Sequence, residues 1–404
     1  MPEERSGGLP PRVALKIQRR RYAAEAVYEI GVHYDLRRGG GDTGGIVALH
    51  EAFLHDGHIC MACERHGRSL GRALGRGPLP PGRARRVVRR LLGALAAMHA
   101  RGYAHTDLKP DNILYDTRTG DARLADLGCA ESALRQGSHP GTREYLAPEI
   151  LLGAPLTPAL DLWSLGCTVF EMLTGACLFL PRRAAARKYR EFSDGADAIE
   201  VPLAESEVRD LAEEQAEQYR PGDVLAEKYR LRRRLGSGRF GTVWDAERIS
   251  GRALDGTYAT LWGHAQSLAA TAPAGTERET ADQAWRRAKG AADLLDLALN
   301  YEHVLLMAAL CGPFPEALLD DARYRQSFFE SDGALRFRPE IRRVSLRERL
   351  RRGSTLRGRA LDLAVDFLAS LLRLDPAGRP TPAAALAHPW LSTRQRQSAP
   401  RRKN

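Results

Sequence analysis

Apolar and polar residues alternate along "VALKI" (13–17), which predicts a short strand with Lys16 on the face opposite Val13, Leu15 and Ile17. "AAEAVYEI" (23–30) follows with helical character. "IVALHEAFLHDGHICMACE" (46–64) reads as two strands joined by a turn. In "RARRVVRRLLGALAAMHARGY" (83–103), Val88, Leu91, Leu92, Leu95 and Met98 share one helical face. "DLWSLGCTVFEMLTG" (161–175) is apolar almost all round, the pattern of a helix inside a core. Strands near the start and helices later predict an α+β protein with a strand-rich part and a helix-rich part.

Composition narrows the classes. A chain of 404 residues that is 43% hydrophobic can bury one large two-lobed core or two smaller ones. No apolar run approaches the roughly 20 residues a membrane helix needs, and the opening "MPEERSGGLPPR" lacks the apolar core of a signal peptide. The expectation is a protein of the cytoplasm, the nucleus or both, without a membrane partner. The formal charge is +11, but arginine is spread throughout and no aromatic residues interleave the basic runs, so direct nucleic-acid binding is not expected. Cys60 and Cys63 form a CxxC without a second ligand pair at metal spacing, and read as buried strand cysteines.

Lysine is scarce, and two of the six lysines fall in chemical motifs. Lys16 sits in a strand of the V-A-I-K type, whose lysine pairs with nucleotide phosphates. Glu29 is placed to hold it in an ion pair, with Glu25, one turn earlier, as a competitor. "YAHTDLKPDNIL" (103–114) has the pattern of a phosphoryl-transfer catalytic loop: Asp107 as proton acceptor, Lys109 against the transferring phosphoryl charge, Asn112 as a magnesium ligand. "LADLG" supplies Asp126 as the second magnesium ligand, because Mg²⁺ takes hard oxygen donors. "GTREYLAPEI" (141–150) carries Glu149, and "DLWSLGCTVFEMLTG" opens on Asp161. "LGSGRFGTVW" (235–244) contains Gly236, Gly238, Gly241 and Val243 at the spacing of a loop covering nucleotide phosphates.

These motifs resemble those of protein kinases, and in detail those of SR-protein kinases, which phosphorylate serines in Arg-Ser repeats. The finer likeness rests on "HTD", "ADLG", "NYEHVLLMAALCGPFP" (300–315), "RYRQSFFESDGALRF" (323–337), "AHPWL" (387–391) and "EEQAEQYRPGDVLAEKYRLRRRLGSGRFGTVW" (213–244). The resemblance implies a bilobal fold, ATP and Mg²⁺ as cofactors, and protein substrates, Arg/Ser-rich splicing factors among them. It also implies Cys63 as gatekeeper, Ala14 beside the adenine, and backbone groups of Glu64 and His66 facing it. The resemblance further implies that Glu149 pairs with Arg379 and that Asp161 braces the catalytic loop. Two departures stand out: Leu146 replaces an arginine common in the wider group, and Thr106 replaces the arginine that receives an activation-loop phosphate.

The order of segments departs as well. In that family the glycine-loop strands precede the VALK strand, whereas here they lie within an insertion between 175 and 301. The implied division is a kinase domain over 1–391, with a small lobe from 9–66 plus 218–252 and a large lobe from 67–180 plus 298–391. Segments 181–217 and 253–297 are insertions and 392–404 a basic tail; an acidic run, 194–223, is a solvated linker or a docking segment. Three arrangements fit this order: a monomer whose 228–250 hairpin docks beside strand 12–18, a dimer that swaps it, or a misassembled or decayed gene product. A catalytically inactive scaffold is the rival function.

Overall fold

Strand β1 (Arg12–Gln18) forms where VALKI alternates, and Val13, Leu15 and Ile17 are buried. Helix α1 (Ala23–Arg38) follows it, then the hairpin β2 (Leu49–His55) and β3 (His58–Cys63). A hinge leads into β4 (Arg68–Ser69), α2 (Leu70–Leu74) and α3 (Pro81–His99). The short strands β5 (Tyr103–Ala104), β6 (Ile113–Tyr115), β7 (Ala122–Leu124) and β8 (Glu131–Ser132) frame the loops after α3. Helices α4 (Pro148–Leu152) and α5 (Leu160–Thr174) complete the first half. The second half supplies β9 (Val224–Leu225), β10 (Tyr229–Ser237), β11 (Gly241–Arg248), α6 (Tyr258–Ala270) and α7 (300–311). The structure, a computed structural model, describes residues 10–38, 45–132, 141–180, 219–237, 241–250, 258–270, 300–336 and 343–392. Gly238, residues 194–217, most of 253–297 and the tail from 393 lie outside the described residues.

The small lobe is a six-stranded sheet in the order β2-β3-β1-β11-β10-β9. β1 therefore has neighbours from opposite parts of the sequence: antiparallel to β3, with Lys16 opposite Met61, and antiparallel to β11, with Lys16 opposite Val243. Without β11, the amides of β1 would form an open edge. Gly241 is required where β11 meets β1, because a Cβ there would stand 2.0 Å from the Ile17 carbonyl oxygen.

The alternation of β1 and β3 divides the lobe into two apolar clusters. Val13, Leu15, Ile17, Cys60 and Ala62 pack with Tyr229, Leu231, Trp244 and Ala246 of the late hairpin. Ile59 and Met61 face the other way, onto Ala26, Val27 and Ile30 of α1. Burying each of these larger side chains contributes about 1.5–3 kcal/mol, so the hairpin is held mainly by its apolar face. Polar contacts fix its register: buried Lys228 pairs with Glu51 of β2 at 2.9 Å, and the carboxylate of Asp245, with no solvent exposure, gathers Arg12, Arg65 and Arg233.

The large lobe is built round α5, with Leu160 to Phe170 buried, as the all-round apolar pattern predicts. It packs on the α3 face formed by Val88, Leu91, Leu92, Leu95 and Met98, and on the later helix Gly358–Leu371. Val304, Met307 and Ala308 of α7 join the same core. Helix α6 lies in the other lobe, with fully buried Leu261 inside the α1 cluster and the His264 ring 3.0 Å from the Gly57 carbonyl oxygen.

Candidate functional site

Lys16 points from β1 toward α1, where its Nζ lies 3.0 and 2.7 Å from the two carboxylate oxygens of Glu29. Glu25, one turn earlier, is exposed, and it is Glu29 that makes the pair. The same ammonium reaches Asp126 Oδ1 at 2.9 Å, which ties the sheet, the helix and the loop after β7 together. Burial by itself would lower the pKa of Lys16, but the carboxylates of Asp126 and Glu29 outweigh it and hold the ammonium above its ordinary range. Lys16 in turn holds the Asp126 carboxyl below its usual range. Burial pushes Glu29 up, and the Lys16 charge offsets part of that push.

A second network surrounds Asp107. Lys109 Nζ donates to Asp107 Oδ2 at 2.6 Å and to Thr142 Oγ1 at 2.6 Å, and Thr142 donates to Asp107 Oδ1 at 2.9 Å. The Asn112 side-chain amide donates to the Asp107 carbonyl at 2.8 Å and to Oδ2 at 2.9 Å. Both carboxylate oxygens of Asp107 are thus held in a fixed orientation. The two networks are joined where Ala125 N donates to the Asn112 carbonyl oxygen at 2.9 Å.

The loop holding these groups is over-determined. Thr106 and Asp126 both have left-handed φ values, 66° and 65°, a conformation that non-glycine residues keep only when the surroundings enforce it. Fully buried Asp161, at the start of α5, accepts from His105 N at 2.8 Å and Thr106 N at 3.0 Å, and its Oδ2 lies 2.8 Å from His99 Nε2. His105 Nε2 stands 3.1 Å from the Ala125 carbonyl oxygen. Below this frame, Glu149 and Arg379 form a fully buried bidentate pair at 2.6 and 2.8 Å.

The remaining described candidates lie in the small-lobe sheet and in the segment that follows β3. Ala14 pairs across β1 with Cys63 and Asp245. Glu64 uses its backbone N–H on Ala48 at 2.7 Å, so any backbone contact from Glu64 to a ligand is through its carbonyl. Its carboxylate lies 3.6 Å from His66 Nδ1, which lowers its pKa. Gly236 and Val243 are cross-strand partners in β10 and β11, and the space beside Gly236 is open. Cys60 is buried in β3; burial pushes the Cys63 thiol up to about 12, far from the thiolate a metal would take.

Among the described residues no group of three or more His, Cys, Asp or Glu side chains is arranged to hold a metal ion. The donors at the site, Asp126 with Asn112, are too few for an all-protein cage. They suit a hard divalent cation that fills its sphere with phosphate oxygens and water. Sequence reasoning missed Thr142, although the "GT" opening "GTREYLAPE" carried the signal.

The protein kinase domain family matches residues 12–218, a span that ends before the hairpin of β10 and β11. Named relatives agree. The putative cyclin-dependent kinase F-2 of rice is 37% identical over 166 residues, covering 40% of this chain and 47% of the relative. Mitogen-activated protein kinase kinase 5 of Leishmania mexicana is 33% identical over 160 residues (38% and 30%), and the serine/threonine-protein kinase PknD of Mycobacterium tuberculosis is 36% identical over 177 residues (41% and 26%). The chain spans less than half the length of these relatives. With just over half of its residues matched and a strand-rich lobe set on a helical one, the chain has the bilobal fold of the protein kinase domain family and belongs to that family.

Proposed function

We propose that this chain is a protein kinase that transfers the γ-phosphoryl of Mg-ATP to a serine or threonine hydroxyl. The observation that carries the reading is the continuous set of contacts from Glu29 through Lys16 and Asp126 to Asn112 and Asp107. Lys16, oriented by Glu29, binds the nucleotide phosphates, and Asp126 with the Asn112 side chain holds the metal. The bound magnesium would neutralise charge on the phosphates. Asp107, fixed by Lys109, Asn112 and Thr142, orients the acceptor hydroxyl and takes its proton. Lys109 then balances negative charge at the transferring group. Gly236, Gly238, Gly241 and Val243 cover the phosphates from above, delivered in cis by the late hairpin, and Ala14 with the backbone of Glu64 and His66 receives the adenine.

The division into a small lobe from 9–66 plus 218–252 and a large lobe from 67–180 plus 298–391 is supported by the pairing of β11 with β1 and by the shared core of α5 and α7. A finer identity, close to the SR-protein kinases and acting on Arg/Ser-rich proteins, is supported by the motifs over 300–337 and 387–391. Six free cysteines suit a reducing, ATP-rich compartment, the cytoplasm or nucleus.

The test is phosphate transfer from Mg-ATP to serine peptides by the chain and by Asp107→Asn. The variant is expected to lose about 10²–10⁴-fold in kcat while nucleotide affinity is kept. Equal transfer by both would remove Asp107 from its role, and no transfer by either would make the chain a scaffold.

A further inference from the structure

A second concavity opens beyond the hinge, between α2 and the turn that follows β6. Its volume is about 330 Å³, and Arg68, Arg72, Arg76, Tyr115, Asp116 and Thr117 are on its walls. Arg72 lies in α2, with Arg68 four residues before it and Arg76 four after, and all three are exposed. Among the described residues, none of their guanidinium groups makes a hydrogen bond or an ion pair.

The neighbouring arginines behave differently. Arg83 and Arg86 of α3 donate to the carbonyls of Thr117 and Thr119 at 2.9 and 2.6 Å, and Arg90 pairs with Asp121 at 2.9 Å. Those three are used in holding the turn. The one carboxylate on the cleft wall is also occupied: Asp116 accepts from Arg118 N at 2.8 Å, from Thr119 N at 3.3 Å and from Thr119 Oγ1 at 2.9 Å. These bonds hold its pKa below the usual range, so it stays a fixed part of the turn. Three cations at four-residue spacing outnumber the single wall carboxylate, which the turn and Arg118 already engage, so they repel one another and are stabilised by an anionic occupant.

Position indicates what that occupant is. β4 pairs with β6, with Ser69 opposite Leu114, and Leu114 is two residues beyond Asn112. Helix α2, one wall of the hollow, also packs on residues 110–112 of the loop that carries Asp107, with Gly71 against Asp111, while none of Lys16, Glu29, Asp107, Asn112 and Asp126 lines the hollow. We propose that it is a docking site for an Asp/Glu-rich segment of a protein substrate, separate from the acceptor hydroxyl. This inference rests on the kinase reading and narrows it: an Arg-Ser repeat alone is repelled by this surface, so a substrate that uses it carries an acidic stretch outside the repeat.

The experiment separates docking from catalysis. Fluorescence anisotropy is read for a labelled 12-residue Asp/Glu/Gly peptide, which has no hydroxyl side chain, binding to the full chain. The variants are Arg68→Glu/Arg72→Glu/Arg76→Glu, the milder Arg72→Ala/Arg76→Ala, and the distant control Arg359→Glu, each checked for an unchanged thermal midpoint. Expected are saturable, salt-sensitive binding to the wild type, at least a tenfold loss in the triple variant, a smaller loss in the double and no change in the control. Transfer to a short neutral serine peptide stays as in the wild type; its loss in every protein, wild type included, counts against the kinase reading and leaves the docking result standing. Equal binding by all proteins, or none by any, overturns the proposal. Two further outcomes overturn it in favour of another occupant: stronger competition by single-stranded RNA than by unlabelled peptide, or binding that appears only when the acidic residues of 194–217 are neutralised.

Discussion

Arg65 of the hinge and Asp245 of β11 lie 2.9 Å apart across 180 residues of sequence. Asp245 has no solvent exposure and also pairs with Arg12 at the start of β1, so a single carboxylate fastens the late hairpin to the first strand and to the hinge. Asp245→Asn keeps the shape and removes the charge. It is expected to cost about 1.5–3 kcal/mol of stability and to raise KM for ATP more than it lowers kcat, because the proposed function makes the displaced hairpin the phosphate cover. Denaturant midpoints and steady-state kinetics check it; a changed kcat with unchanged KM would mean that the hairpin does not cover the nucleotide.

Glu29→Gln tests the ion pair that positions Lys16. The expected loss in kcat/KM is about 10²-fold, in line with the removal of one charged positioning group from an electrostatic site. Glu25→Gln, one turn earlier and exposed, is expected to match the wild type. Equal losses in the two variants would point to general damage to α1.

His33, one turn beyond Glu29, supplies a pH signature. Burial, with Lys16 and Arg37 nearby, lowers its pKa to about 4. At pH 7 the ring is mostly neutral in both states; as pH drops from about 6.5 toward 4 the unfolded chain takes up a proton that the folded one does not, so stability falls. Between pH 7 and 5 the loss from this group is about 2 kcal/mol. His33→Leu is expected to flatten the pH dependence of the denaturant midpoint over that range by a similar amount; an unchanged slope would assign the effect to other groups.

Leu261 of α6 is fully buried among Ala26, Val27 and Ile30 of α1. Leu261→Ala is expected to destabilise the small lobe by about 2–5 kcal/mol, the usual cost of emptying such a site. Hydrogen exchange should report faster opening of α1, and transfer activity should fall through the Lys16–Glu29 pair. Unchanged exchange in α1 would show that α6 only covers it.

What the sequence made legible was local. Strand 12–18 and helix 160–174 carry their periodicity within a few residues, and the loops round Asp107 and Asp126 are motifs closed within one turn of chain. What was not legible depends on distant partners. The choice between Glu25 and Glu29, which share a face of α1, needed the position of the helix along its axis against Lys16. Asp245, in "VWDAER", has the pattern of a strand's polar face, and only the arrival of Arg12 and Arg65 makes it a buried junction. The stretch "YATLWGHAQSLAA" shows helical character without chemistry, because its use is to pack on α1.

The place of β1 between β3 and β11 has a consequence for how the chain is made. Arg12 and Asp245 are 233 residues apart, so at synthesis rates of about 5–20 residues per second the first strand waits roughly ten to fifty seconds for the partner that completes its sheet. During that interval Val13, Leu15 and Ile17 lack Trp244 and Tyr229, and one edge of β1 is unpaired. A nascent chain of this design carries its small lobe half built through that interval, and the large lobe shares the condition, because α5 waits for the helix Gly358–Leu371; both lobes are therefore clients for chaperones on the ribosome.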